Sequence, residues 1–473
     1  MSTTVTSSCY LQAKKPWLRE LVKRLGQSFG YVSVLGTDVA GKSYEVSSCV
    51  TTISDGKWNE RGFVVRVYDE GRYYEYAFNR LGEDASAVES LAGHITESAR
   101  RARGEAFRYP QPQEEPIREA FSDVVGTPPE ALGPDKIIAK LEAVNLKMRE
   151  QSPLVVEAVV RMGYAKVSKI FLSAQKDLEQ NYIWAEAFVC PTVRRDETTR
   201  YAFRSYSGIK GLEILDGLEG DVEEIVATAC KLLDAGQIPP GEYDVICSPD
   251  ATGLIAHEAF GHGVELDMFL KNRANAKLYM GKPVASPLVR MHDGAKSARH
   301  VSSYLFDDEG NLGSDTVIIE NGILRAGISD ALSAAQLGLQ PTGNGKRQTF
   351  ANKAYSRMTN TFFAAGTDKL EDMIASIKHG YLIEDAYSGM EDPKDWGIQC
   401  MFTHAREIVD GKLTENFVAP VVMTGYVPDL LKAVTMVSDT MEFSGFGACG
   451  KGYKELTKVS GGGPYIKTKA RLG

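Results

Sequence analysis

Two histidines five residues apart in "LIAHEAFGHGVELD", residues 254–267, constrain this chain more than any other feature. Ser248-Pro249 just ahead puts an N-cap serine before a proline at the first helical position, so the stretch belongs on a helix beginning near Pro249. On a regular α-helix, five steps of about 100° end about 140° away from the starting face. His257 and His262 would then point to different sides. They can face one ion only if the helix is overwide or broken between them, and a π-bulge near Phe260 to Gly263 would do this. Gly261 and Gly263 make the backbone there permissive. Zinc peptidase helices usually read H-E-x-x-H, one turn between histidines. Here the spacing is H-E-x-x-x-H, one residue longer.

The residue types suit metal chemistry. Catalytic zinc takes three protein ligands and leaves a fourth position for water. Glu258, next to the first histidine, could accept the proton of that water and later return it to a leaving amine. A third ligand must come from elsewhere: Glu265 and Asp267 follow on the same segment, and Cys449 sits far away in the glycine-rich "SGFGACGKGYKELTKVSGGGPYIK". A histidine pair in a helix is more often structural than metal-binding, and Cys449 alone reads as a small residue in a turn. The adjacent glutamate and the flanking glycines shift the balance to a metal.

Elsewhere the chain reads as a mixed fold. Its 473 residues suffice for two or three domains of about 150 residues each. The pattern divides near residue 238, at "DAGQIPPGEYD", into an N-terminal α/β domain, 1–238, and a C-terminal domain, 239–473, that carries the metal helix. A proline- and acid-rich stretch at 105–135 is an internal linker candidate. Helices are expected over Trp17–Phe29, Ala85–Arg103, Lys136–Gln151 and Asp221–Leu233. "GFVVRVYDEGRYYEYAF" reads as a hairpin turning at Asp69-Glu70-Gly71, and Val155 to Tyr206 as three or four strands. Hairpins mixed with helices argue for an α+β class of two domains, with mixed or antiparallel sheets and flanking helices, rather than a doubly wound sheet.

Composition excludes several function classes. At 43 % hydrophobic and 25 % charged residues the chain is globular. A net charge of −8 gives no overall attraction for nucleic acid. No apolar run approaches the roughly 20 residues that span a bilayer, and no secretory signal is seen, so no membrane is expected. Seven cysteines, odd in number and without a C-x-x-C pair, fit a reducing cytoplasm.

The second half resembles the TldD/PmbA family of zinc metallopeptidases. "GLIAHEAFGHGVELD", "SYLFDDEG", "TVIIENGIL", "PTGNGKR", "SRMTNTFFAAG" and "GFGACGKGY" look like that family's blocks, in its order. The resemblance implies zinc held by His257, His262 and Cys449, with Glu258 as general base toward a metal-activated water. It implies hydrolysis of unfolded or small peptides. It also implies a dimer, either a homodimer or a heterodimer with a family paralogue that has lost the motif. With its motif intact, this chain resembles the TldD type of subunit.

The alternative reading is a non-catalytic peptide-binding or scaffold subunit with a structural metal, which would leave Glu258 without a task. A zinc hydrolase of small amides is a third. Of the remaining blocks, "FDDEG" at 306–310 reads as an acidic hairpin turn before a second metal site, and "TGNGKR" as a turn rather than a phosphate loop. Arg357 and Asn360 could hold substrate or orient the metal loop. His292, His300 and His404 read as surface or hydrogen-bonded residues.

Overall fold

The computed structural model describes residues 2–82, 85–102, 107–452 and 455–473. The expected helix end at Arg103, residues 105 and 106 of the linker candidate, and Tyr453 of "GFGACGKGY" lie outside them.

The first half is built on a nine-stranded sheet. Its spine is the long hairpin of Val155–Ser173 and Lys176–Arg195, rich in β-branched and aromatic residues. Tyr31–Val46 pairs with this hairpin on one side and with Glu60–Asp69 on the other. The next strand, Arg72–Phe78, follows a two-residue turn at Glu70 and Gly71, both at positive φ, 46° and 87°. Helices Cys9–Leu25 and Ala85–Arg101 close one core through Leu11, Leu18, Leu21 and Phe63. The first begins earlier than its apolar spacing suggests because the Ser8 hydroxyl caps it, accepting from Leu11 N–H. Helices Pro134–Gln151 and Val222–Lys231 close another core around Ile137, Leu141 and Val226. Within the linker candidate, Ile117–Ser122 is a strand parallel to Lys176–Asn181 and Val124–Val125 pairs with Thr3–Thr4. This segment is therefore tied to the sheet by backbone hydrogen bonds.

In the second half five strands close on themselves. Gly241–Cys247 pairs in parallel with His379–Glu391 and antiparallel with Ile466–Leu472. Gly397–Val409 and Val421–Tyr426 complete the ring. A six-stranded sheet, including Asn360–Phe363 and Ser460–Gly463, lies beside it. The helix Pro249–Ala256 packs on this second sheet, close enough that a Cβ at Gly253 would meet Gly462 N at 2.7 Å. The protein is thus α+β, with mixed and antiparallel sheets and flanking helices. Among the described residues no helix is long and apolar enough to cross a membrane.

The halves meet through buried charges. "FDDEG" is a turn, with Gly310 at φ 77°, but it is not an exposed acidic one. Asp308 pairs with Lys169 and Glu309 with Arg66, while Asp307 accepts the N–H groups of Glu309, Asn311 and Gly345.

Candidate metal centre

The helix that starts at Pro249 changes winding where the five-residue spacing requires it. His257–Gly261 forms a π-helical turn, in which the His262 N–H donates to the His257 carbonyl five residues back, and a tight 3₁₀ turn follows over His262–Val264. The wider turn absorbs the extra residue. The two imidazoles end on one side of the segment, ring centroids 5.1 Å apart and planes at 88°.

Glycine 261 acts differently from the sequence reading. Its φ is −73°, ordinary helical backbone, so conformational permissiveness is not what the position needs. A Cβ there would lie 2.1 Å from Met358 Sδ, so only a residue without a side chain lets this turn pack on Met358. Phe260 is fully buried and packs edge-on against Trp396, at 5.8 Å between centroids, fixing the other flank.

The structure brings Cys449 to the two histidines. One donor atom from each of His257, His262 and Cys449 lies within 4.8 Å of the other two. Cys449 Sγ is 3.2 Å from His262 Nε2. Burial alone would raise the Cys449 thiol, but His257 and His262 outweigh it and hold its pKa at about 4. The sulfur is therefore a thiolate at neutral pH, the form that ligates metals. Two imidazoles and a thiolate are a donor set that zinc takes, with a fourth position left over. These residues fit a metal ion.

Glu265 and Asp267, weighed as ligands on sequence, stand behind the site instead. Glu265 Oε2 is 3.3 Å from His262 Nδ1, which fixes the ring and leaves Nε2 toward the sulfur. Burial would raise the Glu265 carboxyl, but Lys451 and His262 hold it down at about 2. Lys451 Nζ lies 2.9 Å from Glu265 and 2.7 Å from Asp267. Lys451 belongs to the same short hairpin as Cys449, Cys449–Lys451 with Glu455–Thr457. Arg357 also grips this hairpin, donating to the Cys449 carbonyl at 2.7 Å and to the Glu455 carbonyl at 3.1 Å. Asn360 is spent on structure, donating to Gly294 and Ala298 carbonyls and accepting from Ser460. His292, His300 and His404 are buried away from the triad, His292 on Asp315 and His404 on Thr403.

The triad opens onto a cleft of about 590 Å³. One wall is residues 386–391 of the strand His379–Glu391; the other is the loop 444–450. Beyond Ile383 that strand pairs on one side only, with Gly397–Val409, because Gly241–Cys247 ends its match there. Its free side keeps main-chain groups available, apart from Ala386 N–H, which donates to Asp250 at 2.7 Å. Glu258 is buried at the cleft beside the histidines. A Cβ at Gly389 would lie 2.7 Å from Glu258 Cγ, so that glycine makes room for the carboxylate.

Sequence reasoning missed Gly389, Glu391 and Lys451. Both oxygens of Glu391 are buried without a hydrogen-bond partner among the described residues. Burial pushes this carboxyl well above the usual range, opposed by His262 and reinforced by Glu258 and Glu265. A G-x-E pair at the end of a strand carries no local signature. Lys451, two residues after Cys449, could have been found as a cation adjacent to a thiolate.

Residues 240–470 match the model of the PmbA/TldA metallopeptidase C-terminal domain. A metalloprotease of Synechocystis is 26 % identical over 469 residues, covering 96 % of this chain and 97 % of that one. A zinc metalloprotease TldD homolog of Saccharolobus solfataricus is 31 % identical over 256 residues, 53 % of this chain and 56 % of its own length. Among solved structures, TldE from Thermococcus kodakarensis superposes with a TM-score of 0.77 at 18 % identity, over 96 % of this chain and 98 % of that one. That likeness is one of fold. The family model covers the half that carries the histidine pair and the thiolate, the Synechocystis metalloprotease matches nearly the whole chain, and the chain belongs to the PmbA/TldD metallopeptidase family.

Proposed function

We propose that this chain is a zinc-dependent peptidase of unfolded or small peptides, with His257, His262 and Cys449 as metal ligands and Glu258 as general base. The observation that carries the reading is three donor atoms within 4.8 Å of one another, next to a carboxylate, in an open cleft. Zinc held by such a donor set supplies Lewis acidity toward a water and a substrate carbonyl. Glu258 takes the proton of the attacking water on its carboxylate and delivers it to the departing amide nitrogen. The glycine at 389 keeps that carboxylate beside the cleft rather than displaced from it. Glu265, 3.3 Å from His262 Nδ1, favours a proton on Nδ1, which would leave Nε2 to ligate the metal.

The free side of residues 384–391 suits an extended peptide added as a further strand. Such binding reads main chain and is indifferent to most side chains. It also excludes folded proteins, whose backbones are already paired. The same reading makes the chain a dimer, with a second copy or with a paralogue of the same fold, and the likeness in fold to a protein named TldE supports the second. Seven free cysteines suit the cytoplasm as its compartment.

The test is metal content by mass spectrometry alongside hydrolysis of an unstructured peptide. Glu258→Gln should keep one zinc per chain and lose turnover by at least about 10²-fold. Cys449→Ala should lose both metal and turnover. A zinc-loaded Glu258→Gln protein that still cleaves would remove Glu258 from its role. A wild-type protein that binds zinc and peptide without cleaving would be the scaffold of the alternative reading.

A further inference from the structure

The cleft contains a carboxylate that neither the metal centre nor the proton transfer uses. Glu391 ends the strand His379–Glu391 and lines the cleft together with His257, Glu258 and His262. Strand alternation puts it on the same face as Gly389, the face that meets Glu258. On the opposite flank, Glu391 Oε1 would be 3.2 Å from a Cβ at Gly263, directly after the second histidine. Glu391 thus stands beside the histidine-bearing turn, next to the general base.

Its partners are missing. Both oxygens are buried and accept no hydrogen bond from the described residues, although a carboxylate can accept about four. The charged groups that act on it are His262, Glu258, Glu265 and Asp392, three carboxylates and one imidazole. The nearby cations are committed elsewhere: Lys451 to Glu265 and Asp267, and Arg357 to the Cys449 and Glu455 carbonyls. A buried carboxyl left without donors is costly, and a protein carries one where something outside the chain completes it.

Resting on the peptidase reading above, we propose that Glu391 is a subsite for a cationic nitrogen of the peptide, either its α-ammonium or a lysine side chain. An ammonium brings both the countercharge and the N–H donors that the two oxygens lack. Placed beside the metal centre, such a contact fixes the distance between the cationic nitrogen and the bond to be cut. Gripping the α-ammonium would make the chain an aminopeptidase on short peptides; gripping a side chain would give it a preference for lysine near the scissile bond.

Binding separates these cases without relying on turnover. Zinc-loaded Glu258→Gln protein is titrated with three C-terminally labelled alanine-rich hexapeptides: one with a free N-terminus, its N-acetyl form, and an N-acetyl form with one internal lysine. The expected result is that one of the two cationic peptides binds on the order of tenfold tighter than the neutral one, and which one identifies the source. Adding Glu391→Gln should erase that difference while zinc content stays the same. Equal binding of all three peptides, or a difference that survives Glu391→Gln, would overturn the inference. Loss of zinc in Glu391→Gln would overturn it too, by making Glu391 part of the metal centre. Failure of every peptide to bind at all would instead count against the peptidase reading itself.

Discussion

Single residues in this chain work against their ordinary chemistry. Cys449 is held as a thiolate by two imidazoles although burial favours the thiol. His300 shows the opposite balance. Burial, with Lys458 adding to it, pushes His300 from its ordinary 6.5 down to about 4. Between these two values the unfolded chain binds the proton and the folded chain does not, so stability rises with pH across that window. The contribution is complete above about pH 6.5 and is lost as pH falls through about 4. At about 1.4 kcal/mol per pH unit it amounts to roughly 3 kcal/mol at most. Urea titrations between pH 4 and 7 should therefore show a shallower acid slope for His300→Gln than for wild type. Identical slopes would mean that His300 titrates normally in the folded protein.

At the scale of elements, the turn that carries the histidines shows what can be read from a sequence. Two histidines five positions apart, His257 and His262, cannot share a face on a regular helix, and the π-helical turn over His257–Gly261 is the distortion that this spacing called for. The helix start at Pro249 and the hairpin turn at Glu70-Gly71 were legible for local reasons, since proline fixes φ at a value suited to a first helical turn and glycine supplies the positive φ of a tight turn. The purpose of Gly261 was misread as backbone freedom, because Met358 lies almost a hundred residues away and its approach leaves no local trace. Gly389 and Glu391 were illegible for the same reason: their chemistry comes from facing another element. Gly261→Ala should displace Met358 or open the π turn, costing about 1–3 kcal/mol. We expect a lower urea midpoint together with weaker zinc retention. An alanine variant with unchanged stability and metal content would show that the turn tolerates a side chain.

At the scale of the molecule, two of the three largest apolar cores lie in the first half and the third, which takes in Ile238 at the boundary, otherwise lies in the second; among the described residues smaller clusters such as Leu35, Phe171, Leu178 and Phe306 join the halves. We propose a division near residue 238 on that basis. The loop that carries Cys449 nevertheless depends on the first half. Lys458 pairs with Glu186 of the long hairpin and donates to the Gly447 carbonyl. Phe446 stacks on Phe188 at 5.0 Å, and Gly445 N–H donates to Ser207 at 2.7 Å. Glu186→Ala would leave Lys458 buried without its carboxylate, a loss of about 3–5 kcal/mol. The expected outcome is a lower denaturation midpoint and faster zinc release to a chelator. Unchanged release would mean that the second half holds the sulfur in place unaided.

The sulfur that meets His262 lies 187 residues further along the chain. A polypeptide emerging from the ribosome therefore displays its paired imidazoles long before the third donor exists. On the reading proposed above, hydrolytic competence is acquired only once Cys449 has been made, so a fragment that ends before it lacks the third donor and does not cut the peptides around it.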